Sequence, residues 1–85
     1  MTMEYDINFT VEYGERTNAQ DYDSLLRDLE DYGMIVDSDM GAYGYRVYVE
    51  TDMGGKEFRK ELVDLARDYG LELQHLYDEK GYVYP

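Results

Sequence analysis

The sequence predicts a single α+β domain, residues 1–85, whose elements follow the order β-α-β-β-α-β. Residues 3–13 alternate between apolar and polar side chains, which is the pattern of a half-buried strand. Two later segments place apolar residues at helical spacing, and each ends in the letters Asp-Tyr-Gly, at 31–33 and 68–70. Shorter segments typical of strands lie between and after these two helices, so each helix connects two strands.

The first strand and the first helix are the most regular elements. The expected core side of the strand carries Met3, Tyr5, Ile7, Phe9, Val11 and Tyr13. The helix is predicted over residues 18–32. Thr17 and Gln20 fit a capping box at its start, and Asn18 is the alternative cap. The apolar stripe of the helix comprises Tyr22, Leu25, Leu26, Leu29 and Tyr32. Gly33 stands where a glycine in the left-handed conformation would end the helix.

The second half of the chain predicts three more strands around a second helix. Residues 34–39 and the segment YRVYVET from Tyr45 form a hairpin through the turn 41–44. The stripe of helix two contains Phe58, Leu62, Leu65, Ala66 and Tyr69. Strand four alternates through Leu71, Leu73, His75 and Tyr77, and the terminal YVYP predicts a short extra C-terminal strand. The architecture is ferredoxin-like, with an antiparallel sheet and both helices on one face.

The repeated Asp-Tyr-Gly is interpreted as architecture. When the two copies are aligned, 37 positions apart, Leu25 falls on Leu62 and Tyr32 on Tyr69. Each tyrosine is then the last core-facing residue of its helix, and each glycine stops the helix. The repeat predicts two similar β-α-β halves and no functional motif.

The composition excludes several classes of function. Twenty acidic residues against eight basic ones give a formal net charge of −12, which argues against direct binding to nucleic-acid phosphates or anionic membranes. There is no cysteine, so disulfides and thiolate metal sites are excluded. No basic apolar leader and no membrane-length apolar run occur, and the expected location is cytoplasmic. Eleven tyrosines and the regular apolar periodicity favour a folded domain over a disordered acidic chain.

No pattern of catalytic or cofactor-binding residues is found, and we expect a protein that is not an enzyme. The single histidine, His75, sits among strand residues, and neither Ser24 nor Ser38 has a base nearby in the sequence. The segment DSDMG at 37–41 starts like a calcium loop but lacks its later ligands, so a hairpin turn is predicted and no metal. No phosphate-binding glycine motif is present, and no cofactor is expected.

The acid is unevenly distributed, and this asymmetry is the main functional clue. Residues 1–42 carry eleven acids and two bases, whereas residues 43–85 carry nine acids and six bases. Outside its core stripe, helix one presents Asp21, Asp23, Asp28, Glu30 and Asp31, opposed by Arg27 alone. Helix two alternates in sign, which predicts an ordinary salt-bridged face. Asp37 and Asp39 are expected near the acidic helix, and Tyr43, Tyr48, Tyr82 and Tyr84 are the expected aromatic anchors.

In size, charge and tyrosine content the chain resembles the inhibitors that phages carry against restriction or CRISPR nucleases. The resemblance implies a DNA mimic whose partner is a basic nucleic-acid-binding protein, such as a nuclease or effector complex. Carboxylates about 5–6 Å apart along a helix approximate the phosphate spacing of a nucleic-acid strand, about 6–7 Å. Two alternatives stay open. One is a general interaction or regulatory module, with a homodimer through a sheet edge or face included. The other is acidity that serves only solubility or halophilic adaptation.

Overall fold

The computed structural model describes all 85 residues and contains four strands and two helices. In chain order these are β1 (Met3–Val11), α1 (Ala19–Leu29), β2 (Met34–Met40), β3 (Gly44–Thr51), α2 (Gly55–Asp68) and β4 (Leu71–Asp78). The strands form one antiparallel sheet in the order β2-β3-β1-β4. The predicted ferredoxin-like βαββαβ architecture is therefore confirmed.

One hydrophobic core lies between the sheet and the helix pair. The central strands bury every second residue, which confirms the alternation in β1 and β3. Fully buried strand residues are Tyr5, Ile7, Phe9, Tyr45, Val47, Val49 and Leu76, and the helices contribute Leu25, Leu29, Phe58 and Leu62. The alternation ends with β1, because Tyr13, predicted on the core side, lies beyond the strand and is fully exposed.

The predicted face of β4 is wrong in its second half. The register between β1 and β4 shifts after Leu73, which pairs with Phe9, so that His75 pairs with Asn8. This bulge at Gln74 moves His75 and Tyr77 to the open face of the sheet and turns Leu76 into the core. An alternating pattern cannot reveal a bulge, because one extra residue reverses every later side chain.

Helix α1 is shorter than predicted, and it ends without a left-handed glycine. Asn18 is the N-cap, and its side chain accepts a hydrogen bond from the Asp21 N–H, whereas Thr17 bonds to the β2–β3 turn instead. The helix stops at Leu29, and Gly33 does not adopt a positive φ, whereas Gly70 does, at 66°. A Cβ at Gly33 would lie 2.1 Å from the Glu50 carbonyl oxygen, so this glycine permits close backbone approach to β3.

The two edges of the sheet differ in how far they are covered by other residues. The predicted C-terminal strand is reduced to one bridge between Tyr77 and Val83, which covers part of the outer edge of β4. The Tyr84 ring sits against Gly55, where a Cβ would approach the ring to 2.0 Å. Nothing comparable covers β2, the opposite edge strand.

Substitution of Gly33 by alanine should destabilise the domain, because the added methyl group would clash with the β3 backbone, which can shift only at an energetic cost. We expect a loss of about 1–3 kcal/mol in the free energy of unfolding, measured by urea denaturation. Gly41→Ala is the matched control, since its Cβ would meet only one atom at an ordinary 3.7 Å. An equal effect of the two substitutions would contradict the assigned close approach.

Candidate functional site

Helix α1 and strand β2 lie together on one side of the molecule. The Tyr22 ring of α1 stacks on the Tyr45 ring of β3 at 5.8 Å, and the Tyr22 hydroxyl shares a hydrogen bond with the Ser38 hydroxyl of β2. Residues 19–40, which include both elements, carry seven carboxylates and one arginine. The acid-rich part of the sequence therefore lies together on one side of the molecule. Residues 19–40 are called the acidic α1/β2 side below.

Three of the predicted helix carboxylates are free surface charges. Asp23, Glu30 and Asp31 are exposed, and none makes a hydrogen bond or ion pair through its side chain. Arg27, the only base nearby, is exposed and has no ion pair either. The negative charge of α1 and of the two residues that follow it is therefore not neutralised within the chain.

The other two helix carboxylates are committed to structure. Asp28 is half-buried and accepts a hydrogen bond of 2.6 Å from the hydroxyl of Tyr69, which follows α2. Asp21 accepts a hydrogen bond of 3.0 Å from the side-chain amide of Asn18, at the start of its own helix. Asp28 was predicted as a free acidic residue outside the core stripe, but it faces the end of α2 and is not a free contact residue.

The remaining acidic candidates lie on the other face of the sheet. In the register, Asp37 stands beside Tyr48 and Asp39 beside Arg46, and both carboxylates are exposed. Tyr48 is also the neighbour of Asp6 on β1. The predicted contact residues therefore form no single flat face. They are divided between the two faces of the sheet, on either side of the edge strand β2.

The predicted tyrosine anchors differ in their exposure. Tyr43, in the turn between β2 and β3, is 60% exposed, and the Arg16 guanidinium lies 6.0 Å from its ring centroid. Tyr82 is similarly exposed, but it lies at the far end of the sheet beside α2. Tyr48 and Tyr84 are half-buried. Of the four, only Tyr43 combines exposure with a position next to the acidic α1/β2 side.

The open face of the sheet contains more aromatic residues than the sequence pattern indicates. The bulge in β4 places His75 and Tyr77 there, with their rings stacked at 5.4 Å. Arg46 is the one cation of this face, and it binds Asp6 through two hydrogen bonds of 3.0 and 2.6 Å. Aromatic platforms that bind RNA combine stacking with free cations. The open face offers the stacking without a free cation.

A cationic groove at the far side of the molecule is a feature that sequence reasoning missed. It encloses about 560 Å³ and is lined by Lys56, Glu57, Arg59, Lys60, Tyr82, Tyr84 and Pro85. The salt-bridged face predicted for α2 is almost absent, because Arg67 and Asp64 form its one ion pair, at 3.8 Å. Arg59 instead donates to the Tyr84 carbonyl. The stretch GGK at 54–56 is the sequence signal for this groove, since it allows the tail to approach α2.

The single histidine and the acidic side chains form no metal-binding group. His75 is exposed and contacts Tyr77 rather than a nucleophile. No three His, Cys, Asp or Glu side chains are grouped closely enough to hold a metal ion. Neither helix combines the length and apolar character needed to cross a membrane. The distinctive features of the surface are its charge distribution and the uncovered edge strand.

Comparisons with known proteins add no identification. No family model, no curated protein and no solved structure matches the chain.

The different roles of the α1 carboxylates predict different effects on stability. Asp28→Ala should lower the free energy of unfolding by about 1–2 kcal/mol, because the half-buried Tyr69 hydroxyl loses a charged acceptor. Asp23→Ala, the matched exposed control on the same helix, should change it by less than about 0.5 kcal/mol. Urea denaturation of both variants measures the difference, and equal effects would show that Asp28 is only a surface charge.

Tyr69 also predicts how stability depends on alkaline pH. Burial, and then the hydrogen bond to Asp28, raises the pKa of Tyr69 to about 12 from an ordinary value near 10. Its contribution to stability is complete below about pH 10 and is lost as the pH rises toward 12, because the unfolded chain releases this proton first. We expect the urea midpoint to fall less steeply in Tyr69→Phe than in the unaltered protein over this range. Parallel curves would contradict the assignment.

Proposed function

We propose that the protein is a non-enzymatic interaction domain that places its acidic α1/β2 side in the basic nucleic-acid-binding surface of another protein. It would act as an inhibitor by competing with DNA or RNA for that surface, as a nucleic-acid mimic does. The observation that carries the proposal is the adjacency of α1 and β2, which brings seven carboxylates and one arginine to the β2 edge of the sheet, on both of its faces.

The free carboxylates make this charge available to a partner. Asp23, Glu30 and Asp31 on the helix side, and Asp37 and Asp39 on the open side, are all exposed and make no ion pairs. Asp31 follows Asp28 by three positions, a spacing at which like charges repel by a few tenths of a kcal/mol. A cationic partner would remove this repulsion on binding, so the unpaired charge of the free protein favours complex formation.

The acidic α1/β2 side is held rigidly and lies beside an exposed aromatic residue, which favours a role in binding over a role in solubility alone. Tyr45 is buried and its hydroxyl accepts a 3.0 Å hydrogen bond from the Asn18 N–H, which fixes the N-cap of α1 over β3. A fixed acidic field accelerates encounter with a basic groove, and the resulting affinity falls steeply with salt. Exposed Tyr43 beside it supplies an aromatic contact of the kind enriched at interfaces.

Charge reversal on α1 tests the proposal. The immobilised protein, incubated with a lysate of the cells that produce it, should retain a nucleic-acid-binding protein that heparin, duplex DNA or about 0.5 M salt releases. The triple variant Asp23→Lys, Glu30→Lys, Asp31→Lys should retain none of it, because the charges that would contact the partner are reversed. All three side chains are exposed, so the substitutions should leave the fold intact. The triple variant Glu57→Lys, Asp64→Lys, Asp68→Lys makes the same charge change on α2 and should still bind.

Two outcomes would contradict the proposal. In the first, the α1 variant binds as well as the unaltered protein. In the second, the retained protein resists both heparin and salt. Circular dichroism of both triple variants establishes that they are folded. Asp28 is left unchanged because its substitution would remove the acceptor of the Tyr69 hydrogen bond and destabilise the fold.

A further inference from the structure

Strand β2 has an uncovered outer edge, in contrast to β4. The backbone of β2 forms its ladder with β3 and makes no backbone hydrogen bond on its outer side. The Ser38 N–H donates instead to the carboxylate of the adjacent Asp37, at 2.8 Å. On the opposite edge, residues 82–84 hydrogen-bond to the backbone of Leu76 and Asp78. The sheet can therefore accept another strand on the β2 side.

The edge strand exposes apolar side chains as well as backbone groups. Met34, Val36 and Met40 are 61%, 48% and 40% exposed, and together they make β2 the least buried strand of the sheet. Natural edge strands are usually short, charged, bulged or covered. β2 has a bulge between Ile35 and Asp37 and two aspartates, and it nevertheless leaves these apolar groups in solvent.

The charges around β2 determine which kind of strand can pair with it. A second copy would bring Asp37 and Asp39 against the same residues of its partner, and like charges directly opposite one another destabilise a strand pair. Glu30 and Asp31, just before the strand, add further repulsion. A cationic strand meets attraction at each of these places. The charges therefore disfavour self-pairing and favour a basic segment.

We propose that β2 binds an extended segment of the partner protein, in which lysine or arginine alternates with apolar residues, as a fifth strand of the sheet. The inference rests on the proposed function and specifies how the acidic α1/β2 side contacts its partner. Side chains of the added strand alternate between the two faces. Cationic ones would meet Asp37 and Asp39 on the open face, while apolar ones would meet Ile35 and Met40 on the helix face.

A model peptide tests this mode of binding without knowledge of the natural partner. The probe is a peptide of about eight residues that alternates lysine and valine, which matches the length of a typical strand. In an NMR titration of the ¹⁵N-labelled protein at low salt, we expect the largest amide shifts within residues 34–40. Hydrogen exchange of the Ser38 amide should slow, because its N–H would donate to the added strand.

Two controls separate strand pairing from simple charge attraction. A peptide of the same sequence, N-methylated at alternate residues, keeps its charge but loses the hydrogen bonds of one edge. Its affinity should be at least about tenfold lower, which is the effect of losing two or three such hydrogen bonds. Asp37→Lys, Asp39→Lys should weaken binding of the unmethylated peptide at least as much, whereas Asp64→Lys, Asp68→Lys on α2 should leave its binding nearly unchanged.

Three results would overturn the inference. These are equal binding of the methylated and unmethylated peptides, amide shifts that fall outside β2 or fail to occur, and concentration-dependent self-association that perturbs residues 34–40 without peptide. None of them decides the broader proposal, which fails if charge reversal at Asp23, Glu30 and Asp31 leaves partner capture intact or if the captured protein resists both heparin and salt. The failures of the two proposals are thus distinguishable.

Discussion

The packing of α1 onto β2 and β3 through tyrosine is the interaction on which the rest of the structure depends. Buried Tyr45 accepts the Asn18 N–H at the start of the helix, and Tyr22 stacks on its ring and bonds to Ser38. These contacts hold an acid-rich helix against an acid-rich edge strand. The stacked pair of rings, which contributes about 0.5–1.5 kcal/mol beyond the burial of its area, offsets part of the repulsion among the surface carboxylates.

The two helices are joined by a reciprocal arrangement of the tyrosines in the repeated Asp-Tyr-Gly segments. Tyr32, which follows α1, lies 3.4 Å from a carboxylate oxygen of Glu61 on α2, and Tyr69, which follows α2, donates to Asp28 on α1. Burial, followed by the nearby carboxylate, raises the pKa of both phenols. The repeat is thus structural, as the sequence indicates. The second tyrosine, Tyr69, also hydrogen-bonds to Asp28, a carboxylate that the charge pattern alone presents as free.

Periodicity allowed the fold to be predicted, and its failures have identifiable physical causes. The alternation in β1 and the stripes of α1 and α2 depend on local repetition, which the sequence displays directly. The bulges at Gln74 and near Val36 depend on pairing with a neighbouring strand. The same is true of Gly33, whose role is close approach to β3 rather than a positive φ. Tertiary partners decided these features, and no single-chain pattern encodes them.

The candidate site was predictable in composition but not in arrangement. The acidic residues of α1 and β2 were identifiable from their number, whereas the division between Asp23 on one face and Asp37 on the other required the sheet order. The bridge at Val83 blocks part of the β4 edge, so only the β2 edge is free along its whole length. For a partner that pairs with β2, this sets a stoichiometry of one full-length added strand per domain.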